Sequence, residues 1–352
     1  MRKTYINGLG CISAQETFDT FFLEKAEINE KDATFSLKTP VYKDFISPVA
    51  IRRMAKGVKN GIVASAMAMK EANVTAVDAI ITGSGMGCIE DSEKFLKAII
   101  DNKEEFLTPT SFIQSTHNTV GAQIALGLQC KAYNLTYVNA SVSFESALLD
   151  AKMKIEEEEA NTILVGGIDE NADYTVSLFK LAGFIKTEAP YKVLNSITKG
   201  AVYGEGATFF VLENEKKSTT YAEMLDVEII NKLDVNEIEV KIISFLEANK
   251  LQISDVDAII LGFNGDIEFD DYYKILSENS FANTPQVYYK HLSGEYNTSS
   301  AFGLWVGSKI IKTQEIPEII SVNNLEKAAY KTILLYNQYK GIDHSFTLIS
   351  KC

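Results

Sequence analysis

Short apolar runs alternate with helix-like segments along most of this sequence, and this alternation limits the fold more than any other feature. Residues 77–82 read VDAIIT, are apolar at nearly every position and lead into the glycine-rich GSGMG. Such a run is typical of a strand buried on both faces in a parallel sheet. Further strands are predicted at residues 133–138, 162–165 and 207–212, and helices at residues 52–72 and 143–155. The pattern predicts an α/β protein.

The second half of the chain repeats this theme. It predicts a helix over residues 235–250 and strands at residues 256–263, 286–289 and 346–349. At the start, residues 4–13 form a short β run in which Gly8 and Gly10 indicate a tight turn. We expect two halves within one compact body, residues 1–215 and residues 216–352.

Charge and apolar content exclude several classes of partner. The net charge of −13 argues against nucleic acid, because phosphate contacts need clustered Lys and Arg. The longest apolar windows, such as residues 258–263, fall far below the roughly 18 residues that span a bilayer, so no membrane segment is expected. The opening MRKTYINGLGCISAQ lacks the apolar core of a secretory signal, and we expect a cytoplasmic protein.

No cofactor or metal site is predicted. The four cysteines lack CxxC spacing and are interpreted as reduced thiols. The acidic run at residues 156–159 is typical of a solvated helix end, since adjacent carboxylates on a helix cannot all face one ion. GSGMG lacks the third glycine and the following acidic residue of a dinucleotide-binding turn, so its glycines indicate close backbone packing.

Several segments in a fixed order resemble the β-ketoacyl-ACP synthases of the thiolase superfamily. These are YINGLGCIS, RRM at residues 52–54, LTPTSF before STHNTVGAQIAL, LVGGIDE and GEGATFFVLENE. The resemblance spans nearly the whole chain and implies the five-layered αβαβα thiolase fold with two similar halves. The pair STHNTVGAQIAL and YKHLSGEY is most similar to divergent ketosynthase-like proteins of aryl polyene and flexirubin-type pathways.

The family's three catalytic positions are substituted in this chain. In the family, a nucleophilic Cys lies at a strand-to-helix turn, and the matching position between LTYVNA and SFESALLDA is Ser141. The first family His corresponds to Asn264 in LGFNGD. The second corresponds to Glu295 in YKHLSGEY, which keeps the family Lys at Lys290. The closing G-F-G-G-T-N loop is replaced by NQYKGIDHS at residues 337–345.

These substitutions weaken the family's chemistry. A serine hydroxyl needs an adjacent base to act as a nucleophile, and the sequence reveals none. His117 is a weak candidate for that base, because a lone His in a polar turn more often makes a local hydrogen bond, and His291 does not take the family position. Asn264 cannot exchange a proton. Glu295 is expected to pair with Lys290 in a structural role.

The resemblance therefore implies a subunit that performs no condensation itself. Ketosynthase-like chains without the Cys pair with an active ketosynthase as chain-length factors in fatty acid or polyketide elongation, where an acyl carrier protein delivers the chain. We expect such a heterodimer, with a homodimer as the alternative when the chain is alone. Two other functions stay open. One is an autonomous acyltransferase or esterase that uses Ser141, and the other is a scaffold that keeps the fold without a pocket.

Overall fold

The computed structural model describes residues 2–18 and 22–352. The strands in these residues are β1 (Thr4–Ile12), β2 (Ala79–Gly83), β3 (Tyr133–Tyr137), β4 (Thr162–Asp169), β5 (Gly206–Glu213), β6 (Ala222–Asn231), β7 (Ala258–Leu261), β8 (Gln286–Tyr288), β9 (Thr332–Tyr339) and β10 (Asp343–Ser350). The helices are α1 (Pro48–Ile51), α2 (Lys56–Ala72), α3 (Ile89–Asp101), α4 (Pro109–Ser115), α5 (Thr119–Leu128), α6 (Ser143–Glu156), α7 (Asp173–Leu181), α8 (Ile238–Ala248), α9 (Asp271–Ile275), α10 (Lys290–Ser293) and α11 (Ser300–Thr313).

Strand order shows that the two halves share one topology. The order is β3-β2-β4-β5-β1 in the first half and β8-β7-β9-β10-β6 in the second, so each strand has its counterpart five strands later. Within each half the inner strands pair in parallel, β2 with β3 and β4, and β7 with β8 and β9. A short antiparallel pairing of β1 with β6 joins these two five-stranded sheets into one sheet of ten strands. The division at residues 215 and 216 itself stays a prediction.

Three clusters of buried side chains define the layers of the molecule. The central cluster combines α6 and α11 with strands of both halves. A second cluster packs α2 and α5 against the first sheet, and a third packs α8 and α9 against the second sheet. The layers thus run α, β, α, β, α. This arrangement confirms the predicted five-layered fold.

The glycines of β1 serve packing, so the predicted turn at Gly8 and Gly10 is wrong. The strand continues through both residues to Ile12. A Cβ at Gly10 would collide with the backbone at Ala64 of α2, and a Cβ at Gly8 would collide with the backbone at Ala68. The missing side chains therefore allow α2 to lie directly on the strand.

Other predicted elements are present with shifted ends. The helix predicted from residue 52 begins at Lys56, because the backbone at Ala55 is extended and separates it from α1. The helix predicted over residues 235–250 is a short 3₁₀ turn, Val235–Glu237, followed by α8. The strand predicted over residues 256–263 is shorter, and only Ala258–Leu261 pair. Within the described residues, no helix is both long and apolar enough to cross a bilayer.

Candidate active site

Ser141 lies in a strained turn between β3 and α6. The 3₁₀ turn Ala140–Val142 connects the two elements, and Ala140 has a positive φ of 45°. Ser143 stabilises the turn, since its Oγ accepts from the amide of Asn139 at 2.8 Å and donates to the carbonyl of Ala140 at 2.7 Å. Positive φ is costly for a residue with a side chain and is often found at functional sites. The turn places Ser141 just before the N-terminus of α6.

The Ser141 hydroxyl is engaged by a carboxylate that sequence reasoning missed. Its Oγ donates to Oδ2 of Asp343 at 2.7 Å, and Ser141 is only 3% exposed. Asp343 is the first residue of β10, and its Oδ1 accepts from Asn231 Nδ2 at 3.4 Å. The serine thus lies at a contact between the two halves.

Glu295 and Lys290 form a buried ion pair. Lys290 Nζ lies 2.7 Å from Glu295 Oε2, and the two side chains are 0% and 4% exposed. The same ammonium donates to Oδ1 of Asn337 at 2.8 Å, while Glu295 Oε1 accepts from Ser299 at 3.0 Å. The pairing predicted from the sequence is therefore present. Each charge has several partners, as burial requires.

Asn264 joins this network through both ends of its amide. Its Nδ2 donates to Glu295 Oε2 at 2.8 Å, and its Oδ1 accepts from the backbone of Asp266 at 3.1 Å. The structure thus brings Asn264, Lys290 and Glu295 together. Ser141 forms its own contact with Asp343. Within the described residues, the Ser141 hydroxyl forms no hydrogen bond to Asn264 or Glu295.

A second buried carboxylate, Glu145, lies on the first turn of α6. Its Oε1 accepts from Ser345 on β10 at 2.8 Å, and burial raises its pKa. The charge of Lys290 acts in the opposite direction on this carboxyl. Glu145 therefore gives the Ser141 region a second contact to the other half. Nothing in the local sequence marks this residue, because a Glu in a predicted helix is normally exposed.

Comparisons with known proteins support one family. A sequence profile described as the β-ketoacyl synthase N-terminal domain matches residues 25–218, which is more than half of the chain. This chain belongs to the β-ketoacyl synthase family. A search of curated proteins finds no match.

Solved structures similar to this β-ketoacyl synthase-family chain share its fold over its whole length. The ishigamide ketosynthase/chain length factor is 17% identical with a TM-score of 0.80, covering 100% of this chain and 99% of that one. AntDE:AntF, a type II PKS acyl-carrier protein in complex with its ketosynthase, is 16% identical with a TM-score of 0.76 and 100% coverage of both chains. The ketosynthase ApeO in complex with its chain length factor ApeC, from Xenorhabdus doucetiae, is 12% identical with a TM-score of 0.75, covering 100% and 98%.

Two of the three histidines of this β-ketoacyl synthase-family chain have hydrogen-bond partners away from Ser141. His291 Nε2 contacts the carbonyl of Ile319 at 2.8 Å, and burial lowers the pKa of His291 to about 3. His344 Nδ1 contacts the hydroxyl of Tyr336 at 3.0 Å, and burial also lowers its pKa. The third, His117, is exposed and lies against the turn at Gly87. A catalytic role for His117 stays an untested alternative.

The cavity beside Glu295 is too small for an acyl chain. Its volume is ≈ 50 Å³, whereas small-molecule sites usually measure ≈ 300–1,000 Å³. Tyr203 and Tyr339 line it, and their hydroxyls lie 3.1 Å apart in a hydrogen bond. Tyr339 belongs to residues 337–345, the segment that we predict to replace the family's glycine-rich loop. In this conformation, two tyrosines thus occupy the approach to Glu295.

The GSGMG turn has a structural role. The amides of Gly85 and Met86 donate to Oδ1 of Asp169 at 2.9 and 3.1 Å, so a carboxylate takes the place that a phosphate would need. Asn297 packs where a Cβ of Gly85 would lie. Among the described residues, no group of three or more His, Cys, Asp or Glu is arranged to hold a metal ion.

Proposed function

We propose that this chain is a non-condensing, chain-length-factor-type subunit that pairs with an active β-ketoacyl-ACP synthase. One observation carries the proposal. At the position that we match to the family's nucleophile stands a buried serine whose hydroxyl donates to Asp343, and the two positions that we match to the family's histidines hold an amide and an ion-paired carboxylate. Each of these polar side chains thus has a hydrogen-bond or ion-pair partner. None of them supplies a thiolate or an imidazole.

The chemistry of condensation needs groups that this site lacks. A thiolate accepts the acyl group and releases it again, whereas an oxygen ester at Ser141 would be a much poorer donor. Imidazoles would polarise the thioester carbonyl, but Asn264 already donates its N–H to Glu295. The Asp343 carboxylate would also repel the oxyanion that forms when a nucleophile attacks a carbonyl. Condensation therefore requires a partner that carries Cys and two His.

The solved structures support this type of partner. One similar structure is described as a ketosynthase/chain length factor, and another as a ketosynthase with its chain length factor. In our proposal the active ketosynthase forms a heterodimer with this chain, and the growing acyl chain lies in the partner's site, since the cavity beside Glu295 is ≈ 50 Å³. The motifs STHNTVGAQIAL and YKHLSGEY favour an aryl polyene or flexirubin-type pathway.

A cationic surface supports an acyl carrier protein as a further partner. The exposed Arg52 and Arg53 line a cleft of ≈ 490 Å³ together with Lys59, on a chain whose net charge is −13. In the described part of the chain, neither guanidinium has a carboxylate within 4.0 Å. Unpaired cations on an otherwise acidic protein attract an acidic partner and accelerate its association. Our proposal requires such an acidic partner, an acyl carrier protein.

One observation favours a second function, an autonomous acyltransferase or esterase. Asp343 lies within hydrogen-bond distance of Ser141 and could accept its proton. A carboxylate is a weak base for a hydroxyl, however, and Ser141 is 3% exposed. The first proposal is therefore the better supported one.

Co-expression with an intact Cys-His-His ketosynthase tests the proposal. We expect a one-to-one complex that condenses malonyl and acyl groups, while this chain alone does not. The Ser141→Ala variant should assemble and leave the activity of the complex unchanged, whereas Cys→Ala in the partner should abolish it. Condensation by this chain alone, or its failure to bind any such ketosynthase, would contradict the proposal.

A further inference from the structure

A second cavity lies along α11, away from Glu295. It is formed by α2, β1 and α11, and its volume is ≈ 640 Å³. Ser299, which precedes α11, donates to Glu295, while Trp305 and Lys309 further along the helix line the cavity. Nine residues of helix place Lys309 about 13 Å beyond Ser300. The cavity is therefore separate from the Ser141 region.

Apolar side chains form much of its walls and rim. Leu9, Val63, Met67 and Trp305 line the interior, and Val41 and Phe45 at the rim are 54% and 43% exposed. Small-molecule sites usually measure ≈ 300–1,000 Å³ and combine apolar walls with a few polar groups. At ≈ 640 Å³, this cavity falls within that range. Its walls suit an aliphatic chain.

Two lysines line this cavity: Lys70 is exposed, whereas Lys309 is partly buried beside aromatic rings. Lys309 Nζ lies 5.2 Å from the ring centre of Tyr221 and 5.7 Å from that of Trp305. It donates to the Tyr221 hydroxyl at 3.3 Å, and within the described residues no carboxylate lies within 4.0 Å of it. An ammonium has three donors, so two are free for a ligand.

The carboxylates nearby limit the charge of that ligand. Glu71 lines the cavity, but its two oxygens already accept from Tyr221 and from the amide of Leu9. Asp44 lies at the rim. Lys70 and Lys309 together balance these two negative charges, so a monoanion is repelled less than a dianion such as a phosphate ester.

We propose that this cavity binds a medium-chain aliphatic carboxylate, with its head group on Lys309 and its tail against Val63 and Met67. The site does not depend on the proposed pairing with a ketosynthase, because none of its lining residues belongs to the candidate active site. The ligand would be a free acyl chain in its carboxylate form.

Trp305 provides a direct readout, because it is the single Trp of the chain. The full-length protein is titrated with sodium decanoate, decanol and decyltrimethylammonium while Trp305 emission and heat of binding are recorded. We expect saturable binding of decanoate, with decanol and the cation weaker by at least about tenfold. Calorimetry decides the outcome where Trp305 emission does not respond.

Substitutions at Lys309 test the role of the charge. Lys309→Met should remove the preference for decanoate over decanol, and Lys309→Arg should retain it. Lys312→Met is the matched control, since Lys312 lies on the same helix and donates to the Ser218 and Thr220 carbonyls. Thermal unfolding verifies that each variant is folded. Equal affinity for decanoate and decanol in the native protein, a preference that survives Lys309→Met, or no binding at all would overturn the proposal.

Discussion

The hydroxyl of Ser141 donates to the carboxylate of Asp343 across 2.7 Å, and the two residues are 202 positions apart in the sequence. This bond joins the turn before α6 to the start of β10. It places a negative charge beside the position that we match to the family's nucleophile. The charge of Asp343 therefore disfavours the anionic form of any group at position 141.

A cysteine at this position should consequently be a poor nucleophile. In a Cys352→Ser background, which removes the exposed thiol, Ser141→Cys should react slowly with iodoacetamide because Asp343 disfavours the thiolate. Adding Asp343→Asn should accelerate labelling of residue 141 by about tenfold. Intact mass and peptide mapping measure the rates. If Ser141→Cys alone were labelled as rapidly as Cys352 in the native chain, the electrostatic argument would fail.

The Lys290–Glu295 pair should contribute strongly to stability. Lys290→Met leaves Glu295 buried without its cation, which is expected to cost about 3–5 kcal/mol in the free energy of unfolding. Urea denaturation measures this change. Lys199→Met, which removes an exposed ion pair with Glu268, is the control and should leave the midpoint unchanged. An equally small effect of both substitutions would show that the buried pair is not needed.

Binding of an acyl carrier protein should depend on the cationic cleft. The double variant Arg52→Glu, Arg53→Glu should weaken association of the heterodimer with its carrier protein by at least about tenfold and reduce its salt dependence. Surface plasmon resonance at two ionic strengths measures both effects. Charge reversal at Lys199 and Lys250, which do not line the cleft, is the control. Unchanged affinity in the arginine variant would place the docking surface elsewhere.

Asp270 should make stability depend on pH. It is 2% exposed, its Oδ1 has no hydrogen-bond partner, and burial raises its pKa to about 7. A folded-state pKa above the unfolded value gives stability that is present below about pH 4 and lost as pH rises through about 7. Lys186, Lys274 and Asp266 also act on this carboxyl.

The variant Asp270→Asn isolates this contribution. Relative to the native chain, it should gain about 2 kcal/mol more stability near pH 8 than near pH 5, because the amide carries no charge to bury. Urea denaturation at both pH values measures the difference. Asp271→Asn changes an exposed neighbour and should show no such gain. The same pH profile in native and Asp270→Asn proteins would contradict the assignment.

Local sequence patterns predicted much of the fold. The parallel strands β2 and β4 are apolar on both faces and fully or almost fully buried, so composition alone identifies them. Strand β6 was missed because charged residues interrupt AEMLDVEIIN, and several of its side chains stay partly exposed. Helix α11 was missed because SAFGLWVGSKIIKT has two glycines that suit close packing rather than helix propensity.

The candidate site shows the same limit. Lys290 and Glu295 are five residues apart in one segment, and the need to balance the charge of Glu295 predicts their pairing. Asp343 with Ser141 and Ser345 with Glu145 join residues 202 and 200 positions apart. Such contacts depend on how the two halves meet across α6 and β10. No local pattern encodes that arrangement.

The central claim is that this chain carries no acyl group of its own, and intact-protein mass spectrometry tests it most directly. The chain is incubated with malonyl- and acyl-loaded carrier protein, with Ser141→Ala as the control. We expect no stable adduct on either protein, and condensation only when a Cys-bearing ketosynthase is added. An acyl adduct on the native chain that disappears in Ser141→Ala would contradict this account and identify Ser141 as a nucleophile.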